Sequence, residues 1–202
     1  MRLGAVQSHR APPGPQGLIS TRLRLFLEKV RTFAMCEKKP RFNLAILTVS
    51  DAGSKGERED TSGDVISQMM ACERFIERFR DIVADEKELV SEKLASWCDS
   101  GDVDVVLTTG GTGLGPRDVT PEATAAVIDL EIPGISEATR MHTLQKTPMA
   151  MLSRSIAGVR SGCLIINLPG SPTGVRECLN VAIPAIPHAL EVIRGWRVEH
   201  PR

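Results

Sequence analysis

Short apolar runs alternate with amphipathic segments along most of the chain. The run FNLAILTVS at 42–50 is continuous and contains β-branched residues, which predicts a buried strand. VDVVLTT at 103–109 predicts a second strand, and GCLIINLPGSPTG at 162–174 predicts a third strand followed by a turn. The segment 74–84 is ambiguous between helix and strand, and its end, IVA, has the pattern of a strand that ends at Asp85.

Between these strands, apolar residues recur at helical spacing. Helices are predicted at 64–75, 86–100, 121–130, 133–145 and 175–195. The first has its predicted N-cap at Ser62 and the third at Thr120, and the last is interrupted at Pro184 and Pro187. The polar, glycine-containing segment 51–63 is predicted to be a loop. Strands that alternate with helices imply a parallel sheet with helices on both faces. The expected fold class is therefore α/β, with residues 41–196 forming one domain.

Composition and charge narrow the functional classes. The formal net charge is +0 and the pI is about 6.9, so there is no basic footprint for nucleic acid or anionic lipid. Only 3% of the residues are aromatic and none is Tyr, which argues against a stacking surface for single-stranded nucleic acid. No apolar run approaches the roughly 20 residues of a membrane span. Five cysteines without a C-x-x-C pair indicate reduced thiols in a cytoplasmic protein.

The first 40 residues differ in composition from the rest. They contain no acid before Glu28 but four arginines in that stretch, and 18–33 has the pattern of a basic amphipathic helix. Such a composition fits mitochondrial targeting by a transit peptide. The alternatives are a disordered tail, or an upstream extension with translation that starts at Met35. Residues 197–202 are interpreted as a C-terminal tail.

The segment TTGGTGLGPRDVT at 108–120 carries four glycines between a predicted strand and a predicted helix. Glycines let backbone N–H groups approach an anion, and a helix that begins near Pro121 adds the positive end of its dipole. Ligands of open parallel sheets lie outside the carboxyl ends of the strands, where 50–63, 85–86 and 108–120 converge. Neither the lysine of a Walker A loop nor the G-x-G-x-x-G spacing is present. We expect a phosphate-bearing ligand, with a purely structural turn as the alternative.

Two acids are placed to bind a metal at the same edge of the sheet. Asp118 lies in the glycine loop beside Arg117, and Asp85 follows a predicted strand. Carboxylates beside phosphates repel them unless a cation lies between, and Mg²⁺ binds one or two carboxylates together with phosphate oxygens and water. The pair therefore predicts a Mg²⁺ site on a nucleotide. The alternatives are a capping role for Asp118 and a surface position for Asp85.

Four segments occur in the same order as in the molybdopterin adenylyltransferases: AILTVSD, LTTGGTGLGPRDVTPEAT, MLSRSIAG and LIINLPGSPTGVREC. The chain resembles that family, which includes the bacterial MogA and MoaB-type proteins, the G domain of gephyrin and its plant counterpart. The resemblance spans residues 41–196, which is all but the two tails.

The resemblance implies a three-layer α/β sandwich of the molybdopterin-binding-domain type, with a mostly parallel sheet, assembled as a homotrimer. It implies that the protein binds molybdopterin and Mg²⁺–ATP, transfers AMP to the terminal phosphate of molybdopterin and releases pyrophosphate. The product is expected to pass to a separate molybdenum insertase chain. The alternatives are a trimeric scaffold without chemistry and a molybdopterin-binding protein without turnover. The presence of both acids and all four loop glycines favours the enzyme.

The family's functional residues can be carried onto this chain motif by motif. Its two essential acids correspond to Asp85 in ADE and Asp118 in PRDVTP, as catalytic residues and Mg²⁺ ligands. The resemblance assigns the phosphate-binding loop and the rim of the site to Thr109, Gly110, Gly111, Thr112, Gly113, Ser50, Asp51, Ser62 and Gly63. It assigns binding of the pterin and its phosphate to Ser153, Ser155, Asn167, Pro169, Gly170 and Ser171. The alternative for Asn167, Pro169 and Gly170 is that they only turn the chain after a strand.

Two positions depart from the family pattern. Thr61 stands where the motif DRSG is common, so a basic side chain is missing near the rim. Asp64 stands where several members have Pro or an apolar residue, and it is expected either to lie outside the site or to weaken anion binding. The charged run KGERED at 55–60 is interpreted as a solvated loop, and His142 and His188 as core or surface residues.

Overall fold

Six strands form one mixed sheet in the computed structural model, which describes residues 41–71 and 74–196. The strands are β1 (Phe42–Val49), β2 (Phe75–Val83), β3 (Val105–Thr109), β4 (Leu130–Glu131), β5 (Ala157–Arg160) and β6 (Cys163–Leu168). They lie in the order β2-β1-β3-β6-β5-β4. Strands β2, β1, β3 and β6 are parallel, whereas β5 is antiparallel to both of its neighbours. The carboxyl ends of the four parallel strands therefore meet at one edge of the sheet.

Helices connect the strands. They are α1 (Asp51–Ser54), α2 (Thr61–Met70), α3 (Lys87–Asp99), α4 (Thr120–Ala125), α5 (Pro133–Leu144), a 3₁₀ helix (Pro148–Leu152), α6 (Pro172–Ala182) and α7 (Ile186–Ile193). None of the described helices is long and apolar enough to cross a membrane.

Alternate residues of β1 enter two separate hydrophobic cores, because successive side chains of a strand point to opposite faces of the sheet. Leu44 and Ile46 pack in the core that α2, α6 and α7 cover. Ala45 and Leu47 pack in the core that α3 and α4 cover. The sheet is thus buried on both faces, which explains why β1 and β3 are continuous apolar runs. The expected three-layer α/β architecture with a mostly parallel sheet is confirmed.

Several predicted elements are confirmed and others need correction. The strand 42–50 and the helix 86–100 are present within one residue at each end. The ambiguous segment 74–84 is a strand, β2, and the helix predicted over 64–75 ends at Met70. The helix predicted over 121–130 starts at Thr120 and ends at Ala125, and the chain then enters the short strand β4.

Two capping predictions were wrong. Ser62 lies inside α2 and its N-cap is Asp60, whose Oδ1 accepts the N–H of Gly63 at 2.9 Å. A carboxylate already held in place competes better for that N–H, and Asp60 is held by Thr48 and Arg80. Thr120 lies inside α4 rather than before it, and its hydroxyl donates to the glycine loop instead. The segment predicted as a loop over 51–63 contains α1 and the start of α2.

The tails predicted at 1–40 and 197–202 lie outside the described residues. The transit-peptide, disordered-tail and Met35-start alternatives therefore stay predictions, and so do the domain boundaries at 41 and 196.

Candidate functional site

A pocket of about 370 Å³ opens at the carboxyl ends of β1, β2 and β3, and we call it the strand-end pocket. It is lined by Thr48, Val49, Ser50, Gly53, Arg58, Glu59, Asp60, Thr61, Ser62, Ile82, Asp85, Thr109, Gly110, Gly111, Gly170, Ser171 and Pro172. Its position is the one expected for a ligand of an open parallel sheet. Four segments meet there: the loop after β1, the segment after β2 that carries Asp85, the glycine loop after β3, and the turn after β6.

The glycine loop is held against the end of β1 in a shape that only glycine permits. Gly110 has φ +99, and a Cβ there would lie 2.2 Å from the carbonyl oxygen of Val49. Gly111 has φ +61, and its Cβ would lie 2.4 Å from Oγ1 of Thr120. Both positions combine a left-handed backbone with no room for a side chain. Thr120 fixes the loop by donating its hydroxyl to the Gly110 carbonyl at 2.8 Å and its N–H to that of Gly111 at 3.0 Å.

Several backbone N–H groups of this loop donate no hydrogen bond to a described residue. Within the described residues, the N–H groups of Gly111, Thr112 and Gly113 have no hydrogen-bond acceptor. Thr112 is buried, with 6% of its surface exposed, so water reaches that part of the loop poorly. Buried N–H groups are almost always paired in folded proteins. A run of free donors on glycines is the arrangement that binds a phosphate.

Asp85 lies at the mouth of the strand-end pocket and is tied to Asp51 by two reciprocal bonds. Its Oδ2 accepts the N–H of Asp51 at 2.7 Å, and Oδ1 of Asp51 accepts the N–H of Asp85 at 3.1 Å. Burial raises the pKa of Asp85, and the charges of Asp51 and Asp118 raise it further. Asp51 behaves in the opposite way, because its hydrogen bond from Arg117 lowers its pKa.

Asp118 is folded over the glycine loop. Its Oδ2 accepts the N–H of Gly115 at 2.7 Å, and its own N–H donates to the carbonyl of Gly115 at 3.0 Å. A Cβ on Gly113 would lie 3.0 Å from the same oxygen, so the carboxylate packs directly on the loop. One oxygen of Asp118 therefore has the capping role that the sequence left open. Its charge still acts on Asp85, whose pKa it raises.

The donor set fits Mg²⁺ only together with oxygens from a ligand. Within the described residues, Oδ1 of Asp85 and Oδ1 of Asp118 accept no hydrogen bond, so each acid has one oxygen to offer. Two nearby carboxylates that repel each other are stabilised by a cation. The described residues contain no group of three or more acidic, His or Cys ligands. Such a site suits an ion that takes its remaining ligands from phosphate and water, as Mg²⁺ does.

Arg154 holds the glycine loop from outside the strand-end pocket. Its Nε donates to the Gly113 carbonyl at 2.6 Å, its Nη2 donates to the Asp118 carbonyl at 2.5 Å, and its Nη1 pairs with Glu122. Its N–H also donates to the Thr112 carbonyl at 3.0 Å. The sequence analysis singled out the serines on either side of this arginine and missed the arginine itself. The partners of its side chain lie 32 to 41 residues away along the chain, so no local pattern reveals the contact.

A second pocket, of about 220 Å³, lies between α5 and α6, and we call it the α5–α6 pocket. It is lined by Thr139, Arg140, Thr143, Thr147, Met149, Ala150, Ser153, Pro169, Ser171, Gly174, Glu177 and Cys178. Ser171 belongs to both pockets and is the N-cap of α6, with its Oγ accepting the N–H of Gly174 at 3.1 Å. The N-terminus of α6 therefore lies between the two pockets, where its dipole favours an anion.

Comparison with known proteins identifies the family. The model described as "Probable molybdopterin binding domain" matches residues 45–188. The chain belongs to this family. A molybdopterin adenylyltransferase of Helicobacter pylori is 44% identical over 155 residues, which cover 76% of this chain and 88% of that protein. Gephyrin of Dictyostelium discoideum is 41% identical over 169 residues, which cover 79% of this chain and 23% of that longer protein.

The fold comparison agrees with the sequence comparison. The molybdopterin biosynthesis enzyme MoaB from Thermus thermophilus is 48% identical and superposes with a TM-score of 0.73. The match covers 77% of this chain and 99% of that structure. The resemblance that the four sequence segments indicated is thereby confirmed.

The residues that the family resemblance assigned to the site fall into three groups. The strand-end pocket is lined by Ser50, Ser62, Asp85, Thr109, Gly110, Gly111, Gly170 and Ser171. The α5–α6 pocket is lined by Ser153, Pro169 and, again, Ser171. Neither pocket is lined by Asp51, Gly63, Thr112, Gly113, Asp118, Ser155 or Asn167. Members of the last group bond to lining residues or to the segments next to them, as Asp51 does to Asp85 and Asn167 to Thr108.

Asn167, near the end of β6, has a structural role that its polar side chain does not reveal in the sequence. It is buried, and its Nδ2 donates to Oγ1 of Thr108 at 3.0 Å and of Thr124 at 2.9 Å. Its Oδ1 accepts the N–H of Ile156 at 3.3 Å. The amide thus joins β3, α4 and the segment before β5 beneath the site.

The two departures from the family pattern have different consequences. Asp64 does not line the strand-end pocket. Its Oδ1 instead pairs with Nη2 of Arg80 at 2.8 Å. The same guanidinium holds Asp60 at 2.7 Å, so the charge of Arg80 is paired with two carboxylates. Thr61 lines the strand-end pocket without supplying a charge. The interpretation of 55–60 as a solvated loop agrees with the exposure of Lys55 to Glu59, and the last three residues of the run also line the strand-end pocket.

Proposed function

We propose that the protein transfers AMP from ATP to the terminal phosphate of molybdopterin and releases pyrophosphate. The observation that carries this proposal is the arrangement of two pockets that share Ser171. One contains the glycine loop and Asp85, which suit a nucleotide phosphate chain with Mg²⁺. The other contains less charge and reaches the same helix N-terminus, which suits the pterin and its phosphate. A relative that is 44% identical is named molybdopterin adenylyltransferase, which is the activity proposed here.

The main obstacle to this reaction is repulsion between two anionic phosphates. The attacking phosphate oxygen is already negative, so no strong base is needed. The free N–H groups of Gly111, Thr112 and Gly113 are fixed dipoles that stabilise charge on the nucleotide phosphates. Bringing both phosphates to the N-terminus of α6 places them in line for displacement of pyrophosphate.

Asp85 and Asp118 would hold the metal in this scheme. When bound, Mg²⁺ neutralises charge on the phosphate oxygens. Asp85 is held by its two bonds to Asp51, and Asp118 by its bond to Gly115, so both carboxylates are positioned before a ligand arrives. Because both acids act on the charge of the phosphates, their loss is expected to lower kcat more than the affinity for molybdopterin.

The test is adenylyl transfer by the purified protein with molybdopterin, Mg²⁺ and ATP labelled on the α-phosphate. We expect label on the pterin with the wild-type protein, and a fall in kcat of about 100-fold or more for Asp85→Ala and for Asp118→Ala, as is typical when an electrostatic contact to the transition state is lost. Turnover at the wild-type level in either variant would remove that acid from the mechanism. Tight pterin binding without transfer by the wild-type protein would favour the scaffold or the binding protein without turnover.

The proposed assembly is a homotrimer that passes its product to a separate molybdenum insertase chain. Supporting it, α5 and the 3₁₀ helix expose several large apolar side chains to solvent, namely Met141, Leu144, Met149, Met151 and Leu152. Exposed apolar groups of this kind mark contact surfaces. Sedimentation equilibrium of the wild-type protein and of Met141→Glu tests this: we expect a trimer that the charge weakens, whereas a wild-type monomer would contradict the assembly.

A further inference from the structure

The loop between α1 and α2 returns to the strand-end pocket because both of its flanks are fixed. On one side, the N–H of Glu57 donates to the Ala52 carbonyl at 2.9 Å. On the other side, Oδ1 of Asp60 accepts the hydroxyl of Thr48 at 2.9 Å and the N–H of Gly63 at 2.9 Å. Arg58 lies between these two anchors and lines the pocket. Its backbone is thus brought to the pocket, while its side chain is exposed.

Among the residues that the structure describes, the guanidinium of Arg58 has no partner. Within residues 41–71 and 74–196 it takes part in no hydrogen bond or ion pair. The other arginines near the site are engaged. Arg80 pairs with Asp60 and Asp64, Arg117 pairs with Asp51, and Arg154 binds the glycine loop. Of the described residues that line the strand-end pocket, Arg58 is therefore the cation that forms no ion pair.

The charge of the pocket favours a contribution from this arginine when an anionic ligand binds. The acids that line the pocket are Glu59, Asp60 and Asp85. Arg80 compensates Asp60, but the other two acids have no ion pair within the described residues. The carboxylates of Glu59 and Asp85 would therefore repel a polyphosphate that enters the pocket. Thr61, at the position where the motif DRSG has a basic residue, adds no charge.

We propose that Arg58 binds the phosphate chain of the nucleotide in the strand-end pocket and supplies the positive charge that Thr61 does not. This role rests on the proposed adenylyl transfer, since it requires ATP in that pocket. An Arg fork binds two phosphate oxygens through two parallel N–H groups in a fixed plane, whereas the ammonium of a Lys acts as a point charge. Arg58 does not line the α5–α6 pocket, so it is expected to act on ATP and not on molybdopterin.

The test compares Arg58→Gln and Arg58→Lys with a matched control in the same loop. Lys55→Gln removes the same charge from an exposed residue that does not line the pocket. The measurements are KM for ATP, KM for molybdopterin and direct calorimetric titration with Mg²⁺–ATP. We expect Arg58→Gln to raise KM for ATP and to weaken Mg²⁺–ATP binding about tenfold, the effect of one lost charged hydrogen bond. KM for molybdopterin and the melting temperature should not change, and Arg58→Lys should fall in between.

Two results would overturn the role of Arg58 while leaving the proposed function intact. One is transfer by Arg58→Gln with a KM for ATP within twofold of the wild-type value. The other is an equal loss in Lys55→Gln, which would show that the effect comes from net charge and not from a contact. If the wild-type protein neither binds Mg²⁺–ATP nor transfers AMP, the proposed function fails and the role of Arg58 fails with it.

Discussion

Removal of the Arg154 side chain is expected to inactivate the protein without any direct contact to a ligand. The guanidinium donates to the carbonyl of Gly113, the last of the three residues with free N–H groups, and to the carbonyl of the acid Asp118. Arg154→Met keeps the length of the side chain and removes these donors. The loop then loses what holds it from outside, while Thr120 still fixes it at Gly110 and Gly111.

The magnitude follows from the two hydrogen bonds. A hydrogen bond from a charged group contributes about 1.5 to 3 kcal/mol, and the low end applies because the Arg154 side chain is 32% exposed. Two such bonds give about 3 kcal/mol, which corresponds to about a 100-fold change in an equilibrium constant. The ion pair with Glu122 is more exposed and adds little. Arg154→Lys can reach at most one of the two carbonyls, so about a tenfold loss is expected.

The assay is kcat/KM for adenylyl transfer beside thermal unfolding, with Arg160→Met as the control. Arg160 makes a comparable set of contacts, donating to the Val127 carbonyl at 2.8 Å and pairing with Asp99, but none of them is to the glycine loop. We expect both Met variants to lower the melting temperature by similar amounts. Only Arg154→Met should lower kcat/KM about 100-fold. Wild-type kcat/KM in Arg154→Met, or an equal loss in Arg160→Met, would refute a positioning role for Arg154.

Two further predictions follow from the same site. Gly110→Ala should lower the free energy of unfolding by at least about 1 kcal/mol and abolish transfer, because φ is +99 and the Cβ would lie 2.2 Å from the Val49 carbonyl oxygen. Gly56→Ala, with φ +72 and open space, should retain transfer in the same assay. Asp85→Asn should raise the melting temperature at neutral pH although it inactivates the protein. Burial raises the pKa of Asp85, so the native state binds the proton more tightly than the unfolded state does. The stability of the wild-type protein therefore falls as pH rises from the ordinary aspartate pKa through the raised one. Melting curves at several pH values should show the difference vanish in acid, and a lower melting temperature for Asp85→Asn at pH 7 would contradict this reasoning.

The sequence predicts most of the fold because the signals involved are local or periodic. The strand at 42–50 is predicted by a continuous apolar run, and the structure shows the reason for it, since both faces of β1 are buried. The edge strand β2 is harder to predict. Its residues from Ile76 to Arg80 are largely exposed, and the period of its apolar positions is correspondingly unclear. The short strand β4 has two residues, and pairing with β5 alone defines it.

The candidate site is predictable only where its residues lie next to a strand end or in a glycine cluster. Asp85 and Gly110 carry such a signal. Asn167 carries the same signal and has a different role, because a buried amide that satisfies three neighbours is also placed at a strand end. Arg58 and Arg154 carry no signal in the sequence. Their roles depend on which charges are already paired, and pairing is a property of the folded chain.

The arginines of the site divide into those that hold the structure and the one left for a ligand. Arg117 and Arg154 fix a carboxylate and a loop, and so they pre-organise the groups that face the phosphates without touching them. Fixed dipoles and a positioned metal site then act on the reacting phosphate at no cost of reorganisation. An exposed arginine is less rigid, so it suits the initial binding of a polyanion better than the reacting centre. On this basis Arg58 should influence KM for ATP, whereas Arg154 should influence kcat, and the two effects should be additive in the double variant because the two side chains share no partner.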